Sequence, residues 1–237
     1  ATVRALKLHG GGPAVQAGRP LDPTYTRENM ELLEKGCDNL LAHIGIVKRS
    51  GIRPVVCLNS FYTDTPAERA LVQRVSEAAG ARFAVSAHWL RGGDGAIELA
   101  EAVVEACEEP NRFAFLSDLD EPLSDRIEKI TQEVYGGDGV SYSDEARAKL
   151  DAFEADPATA RLPMCMAKTQ YSLSHDPALT GRPRGWTLPV RDLLLYQGAG
   201  LVVPVTGDIK LMPGTASNAA FRHIDIDTAT GKVKGLF

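Results

Sequence analysis

The sequence predicts an α/β protein, with a mainly parallel sheet that carries helices on both faces and a smaller β-rich or irregular C-terminal segment. Strand-like and helix-like patterns alternate from about residue 43 to 135, as they do where helical crossovers join parallel strands. Beyond about residue 160, short apolar runs are punctuated by Pro and Gly, which is typical of short strands. Hydrophobic residues at 44% and charged residues at 24% are ordinary proportions for a globular core.

The first two predicted elements are a strand and a long helix. Residues 1–8 have a strand-like composition, and the glycines at 10–12 end the run. Because the chain opens at Ala1 inside this run, we expect it to be a piece of a longer protein. From 28 to about 48, apolar residues recur with the spacing of one helix face. That face comprises Leu33, Cys37, Leu40, Ile44 and Val47.

A strand–helix–strand unit is predicted next. Residues 53–59 form a short apolar, β-branched run typical of a buried strand. Thr65, Pro66 and Glu68 supply a hydroxyl, a proline at the first helical position and a glutamate three residues after the cap, which together make a capping box. The second strand is predicted at 82–87.

The chain then continues with two amphipathic helices on either side of a third predicted strand at 113–116. Their apolar stripes are Ile97, Ala100, Val104 and Cys107 in the first helix, and Ile127, Ile130 and Val134 in the second.

A polar helix is predicted at 143–153, and the character of the chain then changes. The short strand candidates are residues 164–167, 186–190, 193–196 and 201–205. The last 30 residues show little periodicity and are predicted to form an irregular tail.

Charge and composition argue against several classes of partner. Lys and Arg number 26 against 31 Asp and Glu, and no dense basic run is available to neutralise phosphates, so we expect no nucleic-acid partner. No apolar run approaches the ~20 residues needed to span a bilayer, and no secretory signal is present, so we expect no membrane partner and a cytoplasmic location. The cysteines and histidines are scattered, so no metal site is predicted.

Two aromatic residues follow the two strands of the strand–helix–strand unit. Phe61 comes just after 53–59, and Trp89 comes just after 82–87. Ligands of parallel sheets bind beyond the carboxyl ends of the strands, so the two rings could enclose one flat heterocycle such as a pterin or a purine. The alternative is that both rings pack against the following helices. Asn59 and Asp64 could bond ring nitrogens or act only as turn and cap residues.

Three other polar stretches are candidate anion sites. The glycine-rich segments at 10–12 and 92–95 could let backbone N–H groups approach an anion, but neither carries the lysine and hydroxyl of a phosphate-binding loop, which favours simple turns. Lys168, in the polar run 168–172, could meet an anion at the sheet edge, although a solvated strand end explains it nearly as well.

The sequence resembles formate–tetrahydrofolate ligase, also called 10-formyltetrahydrofolate synthetase, over essentially its whole length. Residues 1–11 are similar to a signature of that family. The similarity continues at Gly36, 39–40, 59–61, 64–65, 92–95, 127–130, 135–136, 167–174, 198–200, 212–214, 224–227 and 235–237. Thr215 and Ala216 depart from the family's usual Leu-Pro, and Trp186 stands where Phe is common.

The resemblance implies an enzyme that uses ATP to activate formate as formyl phosphate and passes the formyl group to N10 of tetrahydrofolate. It implies Mg²⁺, a monovalent cation and a homo-oligomer, or a pairing with an N-terminal segment. Phe61 and Trp89 match the family's ring-stacking aromatics. With Asn59 and Val85, on the strands that lead to them, they form the predicted substrate-binding set.

The resemblance also implies a division into domains. Residues 1–42 would close a large N-terminal domain, 43–206 would form a second α/β domain, and 207–237 would be a small third-domain tail. The family's phosphate-binding loop lies upstream of Ala1, so ATP and Mg²⁺ would be bound mainly by the absent part and the isolated chain should be inactive. The alternatives are a stand-alone folate- or nucleotide-binding module without catalysis, and a purely structural subunit.

Overall fold

The computed structural model describes residues 1–16, 19–207, 218–219, 222–226, 229 and 233–235. Its α-helices in this part of the chain are α1 (Val3–His9), α2 (Pro23–Thr26), α3 (Met30–Arg49), α4 (Pro66–Ala78), α5 (His88–Arg91), α6 (Ile97–Cys107), α7 (Leu123–Ile130), α8 (Asp144–Ala155) and α9 (Pro157–Ala160). A 3₁₀ turn at Gly92–Ala96 leads into α6, and a π-helical turn at Thr131–Tyr135 follows α7.

The strands form three small sheets, and the predicted α/β class is confirmed. They are β1 (Val55–Asn59), β2 (Arg82–Ser86), β3 (Gly139–Tyr142), β4 (Thr187–Tyr196), β5 (Leu201–Thr206), β6 (Asp225–Ile226) and β7 (Val233–Lys234). The first sheet pairs β1 with β2 in parallel. The second is mixed, because β4 pairs in parallel with β3 and antiparallel with β5. The third is the antiparallel pair of β6 and β7.

The helix between β1 and β2 begins where the sequence predicts. Thr65 Oγ1 accepts a hydrogen bond from the backbone N–H of Glu68, at 3.2 Å, and Glu68 Oε2 accepts one from the backbone N–H of Thr65, at 3.0 Å. This reciprocal pair is the capping box, with Pro66 at the first helical position. The same glutamate is also an ion-pair partner for α1, so the cap ties two elements together.

Two apolar clusters form the core of the described residues. The first joins α1, α3 and α4 to the β1–β2 sheet, and the second joins α7 and α8 to the β3–β4–β5 sheet. Helix α3 runs without a break across the predicted division at 42, and residues on both sides of that position share the first cluster. The domain division therefore stays a proposal.

The predicted strand at 1–8 is wrong, because residues 3–9 form helix α1. Thr2 caps the helix through its Oγ1, which accepts the backbone N–H of Ala5 at 3.1 Å. Val3, Leu6 and Lys7 are all buried, and spacings of three and four place them on one helix face. The β-branched start misled the sequence-based prediction, whereas burial of that face stabilises the helix.

The predicted third strand at 113–116 is also wrong. Its residues have no strand pairing, Ala114 donates its N–H to Ser50 O at 2.9 Å, and Phe115 is 83% exposed. An apolar run becomes a strand only where a neighbouring strand can accept its backbone hydrogen bonds, and Ala114 bonds instead to the residue that ends α3.

The C-terminal strand predictions are confirmed in part. Residues 187–196 form one strand, β4, with a register shift between Val190 and Asp192, instead of two. The predicted strand at 201–205 is β5, whereas 164–167 makes only isolated parallel bridges to β5. The short strand β3 was not predicted. The family-like residues at 212–214, the departures at 215–216 and the last two residues lie outside the described part of the chain.

Helix α6 turns its predicted apolar stripe outward. Ile97 and Val104 of that stripe are 52% and 60% exposed, and Ala100 and Cys107 are exposed as well, although the helix packs against both β1 and β2. The periodicity predicted the helix correctly, but it did not predict which helix face the sheet covers. Across the described residues, no helix is both long and apolar enough to pass through a bilayer.

Candidate functional site

The candidate site lies where β1 and β2 end side by side. The parallel register pairs Asn59, the last residue of β1, with Ser86, the last residue of β2. The pairing continues one step further, because Ser60 donates its backbone N–H to Ser86 O at 2.9 Å. The segments that carry Phe61 and Trp89 therefore leave the sheet from adjacent positions, as the sequence predicts for a parallel pair.

Phe61 and Trp89 are in direct contact. Their ring centroids are 5.9 Å apart, and the ring planes are inclined at 33°. Trp89 is 51% exposed, and its Nε1–H donates to Ser60 O at 3.0 Å. A flat ring between two others needs a layer of about 3.5 Å on each side, or about 7 Å between the outer rings. The slot is therefore closed by roughly an ångström in this conformation.

The backbone of Phe61 is fixed by a tight turn. Its N–H donates to Asp64 Oδ2 at 2.8 Å, and its carbonyl oxygen accepts the N–H of Asp64 at 3.0 Å. Arg69, from the first turn of α4, also donates to this oxygen, at 3.4 Å. Asp64 is therefore a turn residue, which was one of the two roles that the sequence left open.

Arg4 reaches the same ring from α1. Its guanidinium carbon lies 4.1 Å from the centroid of the Phe61 ring, and its Nη2 donates to Thr63 Oγ1 at 3.3 Å. A guanidinium at this distance makes a cation–π contact. Arg4 was not predicted as a site residue, because residues 1–8 were expected to form a strand.

Four buried polar atoms around Phe61 have no hydrogen-bond partner among the described residues. They are Arg4 Nε, Asn59 Oδ1, Asp64 Oδ1 and Arg69 Nε. More than about 90% of buried polar groups are normally satisfied, and each exception costs about 1–3 kcal/mol. Such atoms cluster at sites that complete their hydrogen bonds with a ligand or with ordered water.

Burial raises the pKa of the Asp64 carboxyl above its usual value, although the hydrogen bond from Phe61 N–H and the nearby Arg69 oppose this shift. Two guanidinium groups, those of Arg4 and Arg69, therefore face one carboxylate that is itself expensive to ionise. The unpartnered atoms around Phe61 thus include two donors, on Arg4 and Arg69, and two acceptors, on Asn59 and Asp64.

A buried ion pair anchors α1 beside this turn. Lys7 Nζ lies 2.6 Å from Glu68 Oε1, both side chains are almost fully buried, and Lys7 also donates to Arg27 O at 2.7 Å. Burial alone would raise the pKa of Glu68. The hydrogen bonds from Lys7 and from the backbone N–H groups of Thr65 and Asn29 nevertheless hold it below the usual range.

The other predicted site residues lie on the strands. Asn59 donates its backbone N–H to Ala1 O at 2.9 Å, so the start of α1 is tied directly to the end of β1. Val85 is half-buried on β2, pairs with Leu58, and donates its backbone N–H to Glu98 Oε1 at 3.0 Å. Asn59 thus lies at the end of β1, two residues before Phe61, whereas Val85 lies one residue before the end of β2.

Lys168 lies beside Tyr135, a residue that packs against the second core cluster. Its Nζ donates to the carbonyl oxygens of Thr169 and Ser172 and lies 4.9 Å from the centre of the Tyr135 ring. Burial lowers its pKa to about 8. The Lys168 amine therefore stabilises the loop at 168–172 by bonding two of its carbonyl oxygens. These bonds account for the residue without a bound anion.

Comparison with known proteins gives one consistent result. A sequence profile described as formate–tetrahydrofolate ligase matches residues 1–237. The chain is 63% identical over 237 residues to the formate–tetrahydrofolate ligase of Dehalococcoides mccartyi strain ATCC BAA-2266, covering 100% of this chain and 40% of that protein. The corresponding enzyme of Desulfotalea psychrophila is 59% identical and covered over 42% of its length, and that of Syntrophobacter fumaroxidans is 53% identical. The chain thus spans about two fifths of the length of these curated relatives.

Proposed function

Because this chain belongs to the formate–tetrahydrofolate ligase family, we propose that it supplies the ring-binding surface for tetrahydrofolate in an enzyme that forms 10-formyltetrahydrofolate. The observation that carries the proposal is the contact between Phe61 and Trp89 at the ends of two adjacent parallel strands. In the proposed reaction ATP transfers its terminal phosphoryl group to formate, N10 of tetrahydrofolate attacks the formyl carbon, and phosphate leaves as N10 loses its proton.

Stacking supplies the affinity in this proposal. An aromatic side chain contributes about 1–3 kcal/mol to the binding of a base-like ring, and a ring between two aromatics gains on both faces. Trp89 is the partner expected to move, because it is half exposed and lies on a four-residue helix without a side-chain cap. Phe61 is held through its backbone on both sides.

Polar groups near Phe61 support a ligand with hydrogen-bonding edges. The unpartnered oxygens of Asn59 and Asp64 are acceptors, as the N–H groups of a pterin or purine require. Both oxygens are buried in this conformation, and we propose that opening of the ring pair exposes them. Val85 is proposed to contribute apolar surface below the slot.

The phosphate side of the reaction is proposed to lie in the part of the relatives that this chain does not span. The 237 residues contain no phosphate-binding loop of the GxxxxGK[ST] type. The described residues contain no group of three or more His, Cys, Asp or Glu that fits a metal ion, so we assign no Mg²⁺-dependent step to them. Binding of ATP, Mg²⁺, formate and a monovalent cation, homo-oligomer formation and a cytoplasmic location all remain proposals.

The test is a binding titration with tetrahydrofolate, followed by tryptophan fluorescence and by calorimetry. We expect saturable quenching in the native chain, and Trp89→Ala should abolish it while weakening binding by about tenfold or more, because one stacking face is lost. Trp186 is buried and remains as an internal reference in the variant.

Tyr62→Ala is the matched control. Tyr62 is the neighbouring aromatic, 81% exposed, and it takes no part in the ring pair, so its loss should leave the dissociation constant unchanged. Equal affinity in the native chain and in Trp89→Ala would contradict the proposed slot.

A further inference from the structure

We propose that Arg4 is a positioning residue for the ring site, and that it leaves only one face of Phe61 open to a stacked ligand. This inference rests on the proposed function, because it concerns how the same site is built. It adds a contribution from α1, which the predicted substrate-binding set did not include. Three observations support it. They are the contact of Arg4 with the Phe61 ring, the anchoring of α1 to β1 and α4, and the hydrogen bond from Arg4 to Thr63 in the 61–64 turn.

The ring contact closes one face of Phe61. A guanidinium whose carbon lies 4.1 Å from the ring centroid is in van der Waals contact with the ring face and leaves no room for a further layer there. A heterocycle must therefore use the other face. Trp89, whose ring centroid lies 5.9 Å from that of Phe61, is the aromatic that this proposal places on that side. Arg4 thereby determines the side from which a ligand approaches.

Helix α1 holds Arg4 rigidly in this position. Just before its start, the carbonyl oxygen of Ala1 accepts the backbone N–H of Asn59 at 2.9 Å, which ties the helix to the end of β1. At its end, Lys7 is locked in the buried ion pair with Glu68 of α4. Arg4 and Lys7 are three residues apart and so lie on one helix face. Because β1 and α4 flank the 61–64 turn, that helix face is set against the turn.

Arg4 also ties down the turn itself. Its Nη2 donates to Thr63 Oγ1, two residues after the ring that its guanidinium contacts. Lys at this position would keep the positive charge and lose both the planar face and the fork of donors. Comparing Arg4→Lys, which keeps the charge, with Arg4→Met, which removes it, therefore separates the effect of charge from the effect of side-chain shape.

The positioning claim is tested without ligand. In proton NMR spectra of the chain, the δ-methylene protons of Arg4 should be shifted upfield by the Phe61 ring, and Phe61→Leu should abolish the shift. Arg4→Met should increase the quenching of Trp89 fluorescence by acrylamide, because the ring pair loses its support. The absence of both effects would overturn the inference.

The consequence for binding is tested with tetrahydrofolate as the probe. Arg4→Met should weaken binding by about 3- to 30-fold, the range from an exposed to a desolvated cation–π contact, and Arg4→Lys should fall between it and the native chain. The exposed Arg74→Met on α4 removes the same charge and makes no contact with the site, so its dissociation constant should match that of the native chain.

A double-mutant cycle identifies the route of the effect. In a Phe61→Leu background, Arg4→Met should change the dissociation constant by less than about twofold, because the ring through which Arg4 acts is gone. An undiminished effect would overturn the inference, and so would equal binding by the native chain and Arg4→Met. A native chain that shows the upfield shift but does not bind tetrahydrofolate would contradict the proposed function and leave the positioning role confirmed.

Discussion

Phe61 and Trp89 differ in how firmly each is held. The backbone of Phe61 bonds to Asp64 and Arg69, and its ring contacts Arg4. Among the described residues, the Trp89 side chain donates one hydrogen bond, to Ser60 O, and otherwise contacts the Phe61 ring. A site that opens for a ligand needs one fixed wall and one mobile wall. These two residues provide that combination, and the energy of opening is set mainly by the contacts of Trp89.

The contribution of Lys168 to the free energy of unfolding should depend on pH. Its pKa is about 8 in the folded chain, against about 10.4 for an unperturbed lysine. Between these values the unfolded state binds more protons, so the contribution of Lys168 to the free energy of unfolding should rise from pH 8 to about pH 10.4. Urea titrations at several pH values, compared with Lys168→Met, measure this contribution.

The Lys168 variant isolates one group, because other groups titrate in the same range. Burial raises the pKa of Cys37 to about 11 and that of Tyr142 to about 12, so stability due to those groups falls as pH rises through their range. The difference between native chain and variant should therefore grow in favour of the native chain between pH 8 and 10. A constant difference would show that Lys168 has an ordinary pKa.

The residues of the site were predictable to different degrees. Phe61 and Trp89 follow apolar strand patterns directly, so their positions at strand ends could be inferred from the sequence. Arg4 and Arg69 act through contacts with a turn that is distant from Arg4 in sequence. Arg4 could have been found from its spacing to Lys7, but only if residues 3–9 had been recognised as a helix.

At the scale of elements, glycines determine how closely α1 and α3 pack. A Cβ on Gly36 would lie 1.7 Å from Leu6 O, and one on Gly10 would lie 1.9 Å from Leu32 O. The two backbones are therefore in contact where the elements cross, and no side chain fits between them. This approach brings Leu6 and Leu33 into the same core cluster.

Gly36→Ala and Gly45→Ala should change stability in opposite directions, although both lie in α3. Gly36→Ala should lower the free energy of unfolding by about 1–3 kcal/mol or more, because α1 must move away. Gly45 has no atom near its Cβ position, so Gly45→Ala should raise it by about 0.5–1 kcal/mol through helix propensity alone. Urea denaturation measures both, and a stabilised Gly36→Ala would contradict this packing.

Elements with clear periodicity or caps were predicted well. Helix α3 and the capped helix α4 have strong local signals, and β1 and β2 are bounded apolar runs. The segments at 1–8 and 113–116 were misassigned because their local composition suits a strand, and the outcome depends on which backbone groups are available to pair. Tertiary contacts decide such cases.

At the scale of the whole molecule, Gly181 makes two hydrogen bonds that join the loop before β4 to α1 and α3. Gly181 donates its N–H to His9 Nδ1 at 3.0 Å, and its carbonyl oxygen accepts Asn39 Nδ2 at 2.7 Å. Arg49 and Glu133 add an ion pair at 2.8 Å. The loop before β4 therefore docks on α1 and α3, a contact between residues so far apart in sequence that no local pattern indicates it.

The exposed apolar stripe of α6 is a second feature that local sequence patterns do not explain. Its spacing identified an apolar face, and Val104 on that face is 60% exposed in the chain. A sequence pattern reports which side chains are apolar and does not report what covers them, so the sheet-facing side could be assigned only from the structure.

The most direct test of the ring site is a crystal structure of the chain with tetrahydrofolate bound. We expect the heterocycle to lie between Phe61 and Trp89, with the separation of their ring centroids increased from 5.9 Å to about 7 Å by movement of Trp89. Arg4 should remain against the far face of Phe61. A bound ligand elsewhere, with the two rings still in contact, would contradict it.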